Sequence, residues 1–210
     1  MKTGDLQEHW QRVYEKQQGH EKASWYQKTP QLVFDWIAQT TSDPGKAHLI
    51  DIGGGDSYFT DRALQLGYAH ITLLDISRNA LEKAAARLGA NASEIDWICA
   101  DVSKFRPERL YTLWHDRAAF HFLTEMEQRQ GYKKALLAGV IPEGHVIIAA
   151  FSKNGPDKCS GLPVVQYSEE ELIAFMEPEF EWQDTRFHDH LTPSGVSQNF
   201  IYTLFKRKAP

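Results

Sequence analysis

Cysteine is nearly absent from this chain of 210 residues: only Cys99 and Cys159 occur. They lie far apart and outside any CxxC or Cys/His spacing, which excludes a disulfide framework and a structural zinc site. Both are expected to be free thiols, with no metal bound. Long apolar runs are missing too. No stretch approaches the roughly 18 uninterrupted apolar residues of a membrane span, and "MKTGDLQEHWQRVYEKQQGHEK" lacks the apolar centre of a secretory signal. The reading is therefore a soluble, cytoplasmic protein without a membrane partner. Positive charge is not in excess either. A net charge of -5 argues against a broad basic face for nucleic acid phosphates, and the short basic tail "FKRKAP" reads as a solvated chain end. With no repeat, low-complexity tract or linker, the length fits a single domain, 1–210, and a monomer.

What is present is alternation. The apolar runs "AHLIDI", "HITLLDI", "IDWICAD", "LYTLWHD" and "GHVIIAAFS" suit a sheet covered on both faces. Helix-like stretches separate them, among them "SRNALEKAAARLGA", with Ser77 as N-cap and Gly89 as stop, and "EMEQRQGYKKALLAGV". Before the first run, "PQLVFDWIAQTT" has helical spacing, with Pro30 suited to the first turn. This order predicts an α/β, doubly wound, mostly parallel sheet. The end of the chain differs: "FEWQDTRFHDHL" and "SQNFIYTLFKR", joined by "TPSGV", should form an antiparallel hairpin. The loop "SKNGPDKCSGLPVVQ" is long enough to be functional.

The segment "AHLIDIGGGDSYFTDRAL" runs from an apolar strand through Asp51 and three glycines into a polar helix. In a doubly wound sheet, ligands bind outside the carboxyl ends of the strands, where strand order reverses. Gly53 and Gly55 permit close backbone approach, and Asp56 or Ser57 could cap the helix. The pattern departs from GxGxxG at Tyr58. Asp51 stands where dinucleotide folds carry an apolar residue; it would repel a pyrophosphate and suit an ammonium group. A buried acid at this position must have a partner. Asp75 closes the next strand about twenty residues on, the spacing at which a carboxylate takes ribose hydroxyls. Asp101 follows the third strand, placed to accept from an adenine amino group, with Ile76 and Val102 beside the two acids. Each acid alone reads as a helix cap or a solvated carboxylate. All three in order describe S-adenosylmethionine.

On these residues the chain resembles the class I S-adenosylmethionine-dependent methyltransferases over nearly its whole length, terminal hairpin included. The resemblance implies a seven-stranded Rossmann-like sheet and a cofactor site at Asp51, Gly53, Gly55, Asp75 and Asp101. The third glycine of the usual GxGxG is Ser57 here.

The stretch "YTLWHDRAAFHFLTEMEQRQGYKKAL" is similar to the fourth-strand region of thiopurine-type methyltransferases and methyltransferase-like lysine enzymes. Their Asp-Arg or Asp-Lys pair carries over to Asp116 and Arg117, while the acid common earlier on that strand is Thr112. His115 and Asp116 are expected to face the methyl path. For an amine or hydroxyl acceptor Asp116 would be the base and His115 the runner-up, the bland alternative being a pair that caps the next helix. His121 reads as a packing residue. The resemblance also implies that the helical segment 1–45 covers the cofactor site, with Tyr14 and Trp25 against a sulfonium. Such contacts are worth about 0.5–2 kcal/mol; Trp10 and Tyr26 belong to the same set, and Trp10 reads equally well as a residue packing the first helix on the core. Cys159 would contact a soft acceptor or simply fill space. The expected reaction is methyl transfer to a small-molecule N, O or S nucleophile. A protein lysine acceptor and a non-catalytic binding module are the alternatives.

Overall fold

The computed structural model describes residues 3–17, 19–27 and 30–209. Two helices come first, α1 (Thr3–Lys16) and α2 (Gln31–Thr40). The alternating region follows as β1 (His48–Ile52), α3 (Phe59–Gln65), β2 (His70–Asp75), α4 (Arg78–Leu88), β3 (Ile95–Cys99), β4 (Tyr111–Arg117), α5 (Met126–Gly139) and β5 (Val140–Phe151). The small strands β6 (Lys158–Cys159) and β7 (Leu162–Pro163) lie in the long loop, and α6 (Glu169–Met176), β8 (Phe180–Leu191) and β9 (Ser197–Arg207) complete the chain. Seven strands form one sheet in the order β3-β2-β1-β4-β5-β9-β8. The first five are mutually parallel; β9 runs antiparallel to both β5 and β8. Strand order reverses between β1 and β4, where a ligand crevice is expected.

Successive side chains of a strand point to opposite faces, and the two halves of the core follow that rule. Leu49 and Leu113 pack with Trp36 and Ile37 of α2 and Phe59 and Ala63 of α3. Ile50, Ile52 and Trp114 pack on the other face with Tyr132 and Leu136 of α5 and Leu172 of α6. Helix ends follow local chemistry as well. The Ser77 hydroxyl accepts from the Ala80 amide at the start of α4, and Gly89 closes it with φ 59°, a conformation that favours glycine. Two expectations need correction. Helix α3 starts at Phe59, after Tyr58: Asp56 pairs with Arg87 of α4 instead of capping it, while the Ser57 hydroxyl accepts from the first helical amide, that of Phe59, at 3.4 Å. The tail is not a loose end: Phe205 is buried, and Lys206 and Arg207 belong to β9. Among the described residues no helix is long and apolar enough to cross a membrane.

Candidate active site

One cavity opens at the carboxyl ends of β1, β2, β3 and β4, enclosing about 1110 Å³ with its mouth included. Asp51, Gly53, Asp75, Ile76, Asp101, Val102, Tyr14, Trp25 and His115 all line it. Gly53 has φ 62°, and a Cβ there would come within 2.6 Å of the Ala119 methyl group. Gly55 does not line the cavity. It lies beneath the Tyr14 hydroxyl, with which a Cβ would collide, and close to Asp75, so its part is close packing of the covering helix on the loop. Arg87 clamps the loop from behind, donating to the Ser57 carbonyl at 2.8 Å and pairing with Asp61 at 2.7 Å.

The partner that Asp51 requires is His115. The two residues are direct neighbours in the β1–β4 register, and Oδ1 of Asp51 accepts from Nδ1 of His115 at 2.7 Å. Holding the proton on Nδ1 leaves the Nε2 lone pair available, the tautomer a general base needs. The imidazole stacks on Phe59, centroids 4.0 Å apart, and its Nε2 is buried with no partner among the described residues. Oδ2 of Asp51 and Oδ2 of Asp101 are likewise buried and unpartnered. The other oxygen of Asp101 accepts from the amide and hydroxyl of Ser103 at 2.8 and 2.7 Å. Asp75 accepts from the Ser77 amide at 2.7 Å, yet burial pushes its carboxyl up to about 7.

Asp116 has to be corrected. As a strand neighbour of His115 it points through the sheet to the opposite face, outside the cavity. One oxygen accepts from the Ala119 and Phe120 amides at 3.0 and 3.1 Å, the other from the Tyr132 hydroxyl at 2.9 Å. The two side chains cannot share the methyl path, and Asp116 is the turn-capping residue of the pair. Burial raises its carboxyl to about 6, but no substrate can reach it. Asp116→Ala would leave three buried donors unpaired and should lower stability by about 3 kcal/mol or more, at roughly 1–3 kcal/mol per donor. Urea unfolding checks this; a loss below about 1 kcal/mol would contradict the assignment.

The cavity's cover comes from the N-terminal segment. Trp10, Tyr14 and Trp25 touch one another, with centroid separations of 5.7–6.1 Å. Trp10 does both things expected of it, lining the cavity and packing edge-on to Phe122. Tyr26 lies outside, against Tyr58. Gln11 fastens α1 to α4: its amide oxygen accepts from the Ser77 hydroxyl at 2.9 Å and the Asn79 amide at 3.0 Å. Two sheet residues hold the Trp25 segment, Arg117 donating to the Trp25 carbonyl at 2.9 Å and His190 to that of Ser24 at 2.7 Å. Arg117, which the resemblance named beside Asp116 without a role, lines the cavity on the same strand face as His115. The next residue, Ala118, takes φ 68°, a strained conformation of the kind that collects at functional sites. His121 is buried and accepts from the Phe151 amide at 3.3 Å. Cys159 is a buried thiol in the cavity wall. Among the described residues no His, Cys, Asp and Glu cluster could hold a metal.

The donor set fits S-adenosylmethionine. Acceptor-only oxygens of Asp51 and Asp101 face a cavity without protein donors of their own, and neither they nor Asp75 pairs with a lysine or arginine among the described residues. An ammonium, a ribose and an adenine amino group supply donors of that kind.

Comparison with known proteins agrees. Residues 49–138 match the methyltransferase domain family. A malonyl-[acyl-carrier protein] O-methyltransferase of Anoxybacillus flavithermus is 35% identical over 82 residues, 38% of this chain and 30% of that protein. The chain thus matches well under half the length of that curated relative. A structure from a study of disulfide-to-thioacetal conversion in echinomycin biosynthesis superposes with a TM-score of 0.76 at 18% identity, covering 97% of this chain and 93% of the other. The 1,6-didemethyltoxoflavin-N1-methyltransferase of Burkholderia thailandensis, solved with bound 1,6-didemethyltoxoflavin and S-adenosylhomocysteine, superposes at a TM-score of 0.68 with 16% identity, over 99% of this chain and 87% of the other. Residues 49–138 thus match a methyltransferase domain, and the strand order, the glycine loop and the acids at the ends of β1, β2 and β3 make the chain similar in fold to the class I S-adenosylmethionine-dependent methyltransferases.

Proposed function

We propose that the protein methylates a small-molecule acceptor through an N–H or O–H nucleophile, with His115 as the base. The observation that carries this reading is the buried, unpartnered Nε2 of His115, its tautomer set by Asp51, in the wall of the same cavity as the three acids. S-adenosylmethionine, when bound, supplies a methyl group on a sulfonium, whose sulfur departs as a neutral thioether. Asp75 would hold the ribose, Asp101 the adenine amino group and Oδ2 of Asp51 the ammonium. Tyr14 and Trp25 would present ring faces to the positive charge. The protein's further contribution is alignment, which can supply most of the acceleration in a direct displacement. His115 would take the acceptor's proton at Nε2.

A protein lysine is the weaker alternative. Its ammonium would approach the like charge of Arg117 in the cavity wall. A non-catalytic module has no use for a base held in one tautomer.

S-adenosylhomocysteine at a hundredfold excess over its Kd should stabilise the protein by about 2.7 kcal/mol, visible as a raised Tm. Calorimetry that detects NAD binding but neither S-adenosyl ligand would refute the cofactor. Binding without methyl transfer to any acceptor in a labelled-cofactor screen would favour the module.

A further inference from the structure

The protein leaves one cation of the cavity unanswered. Nε of Arg117 donates to the Tyr202 hydroxyl at 3.2 Å, Nη1 to the Trp25 carbonyl at 2.9 Å, and the guanidinium lies 5.2 Å from the Phe200 centroid. None of these partners is a carboxylate. Nη2 is buried and donates to nothing among the described residues. The titratable neighbours stay neutral: burial, with Arg117 adding to it, pushes His121 down to about 3 and His190 below its ordinary value. Burial likewise keeps the Cys159 thiol protonated. A buried guanidinium N–H without an acceptor is costly unless a ligand supplies one.

Position sharpens the point. The acids end β3, β2 and β1, whereas Arg117 ends β4. The cavity is therefore polarised across the sheet, and Arg117 is the only lysine or arginine in its wall among the described residues. The half over the acids fits the cofactor; the half over β4 remains for the acceptor.

We infer that Arg117 seats a carboxylate of the methyl acceptor through Nη2, so that the substrates are small acids carrying a second, nucleophilic hydroxyl or amine. This rests on the methyl-transfer reading and names its substrate class. A single free nitrogen and a single cation match a monoanionic carboxylate better than a phosphate dianion. Residues two apart on one strand face are about 7 Å apart. A carboxylate on Arg117 thus places a hydroxyl or amine several bonds away beside Nε2 of His115. The carboxylate is the anchor, not the nucleophile, since pairing with a guanidinium withdraws the lone pairs that would attack.

The test uses the full chain loaded with S-adenosylhomocysteine and calorimetry with matched acid and amide pairs: 3-hydroxybenzoate, 3-aminobenzoate and 4-hydroxybutanoate, each against its neutral amide. At least one acid should bind about tenfold or more tightly than its amide, a difference of about 1.4 kcal/mol. Arg117→Met should bring the two together, and Arg117→Lys should restore part of the preference. The comparison on the unmodified protein needs neither variant to fold. Equal binding of acid and amide in every pair overturns the proposal, as does a preference that survives undiminished in an Arg117→Met protein that still binds S-adenosylhomocysteine. Methyl ester products would overturn the anchoring role. Failure of the unmodified protein to bind S-adenosylhomocysteine is a different result, and sinks the methyl-transfer reading itself.

Discussion

Replacing Asp75 by alanine should weaken S-adenosylhomocysteine binding by about 150- to 20,000-fold, from the loss of two charge-assisted hydrogen bonds to the ribose at roughly 1.5–3 kcal/mol each. The protein should remain folded, because Ser77 continues to cap α4 through its own hydroxyl. Calorimetry on the folded variant measures this, and unchanged affinity would reduce Asp75 to a turn residue. The same carboxyl carries a pH effect. Its folded value, pushed up to about 7 by burial, lies above the unfolded one, so the native state binds the extra proton. Its contribution to the ligand-free protein's stability is fully present below about pH 4 and is lost as pH rises through about 7. Asp75→Asn should flatten that slope. Binding has the opposite sense, since ribose hydroxyls donate to the ionised form, and affinity should climb as pH approaches 7.

Replacing His115 by glutamine should lower turnover by about 100-fold or more at saturating cofactor, the usual cost of removing a general base. Asp51→Asn should do similar damage by another route. An amide N–H facing Nδ1 would move the imidazole proton to Nε2 and block the lone pair. If the two residues act as one unit, the double variant should be little worse than either single one. Turnover rates with cofactor and acceptor both saturating decide it. Full additivity would show that Asp51 acts only on the cofactor, and near-normal turnover in His115→Gln would remove the base altogether.

Much of the sheet was legible because a buried parallel strand has to be a short aliphatic run, and β1, β2, β3 and β4 contain few residues that fit elsewhere. The hairpin β8–β9 was equally plain, with "TPSGV" between two long alternating runs. The acids Asp51, Asp75 and Asp101 could be placed because the end of a strand is a local property. The choice between His115 and Asp116 needed only parity: Leu113, His115 and Arg117 share one face, while Trp114 and Asp116 share the other. What stayed hidden depends on distant pairings. Arg117 meets Trp25, 92 positions away, and Arg87 takes Asp56 from its expected cap; no local pattern announces either. The predicted strand "SQNFIYTLFKR" already reached Arg207; what the basic residues of "FKRKAP" concealed is that Phe205 is buried in the core.

The Asp51–His115 pair also bears on how the chain finds its alignment. Shifting β1 by one residue against β4 would set Asp51 opposite Asp116 or Trp114 in place of His115, and would turn the whole strand over to the wrong side of the sheet. One slip crowds two carboxylates together; the other strands a lone charge against an indole. Aliphatic neighbours such as Ile50 and Ile52 discriminate weakly between such alignments, since one branched side chain packs much like another. A polar couple in the middle of the sheet therefore acts as a molecular ruler, making mispaired assemblies costly while the chain collapses.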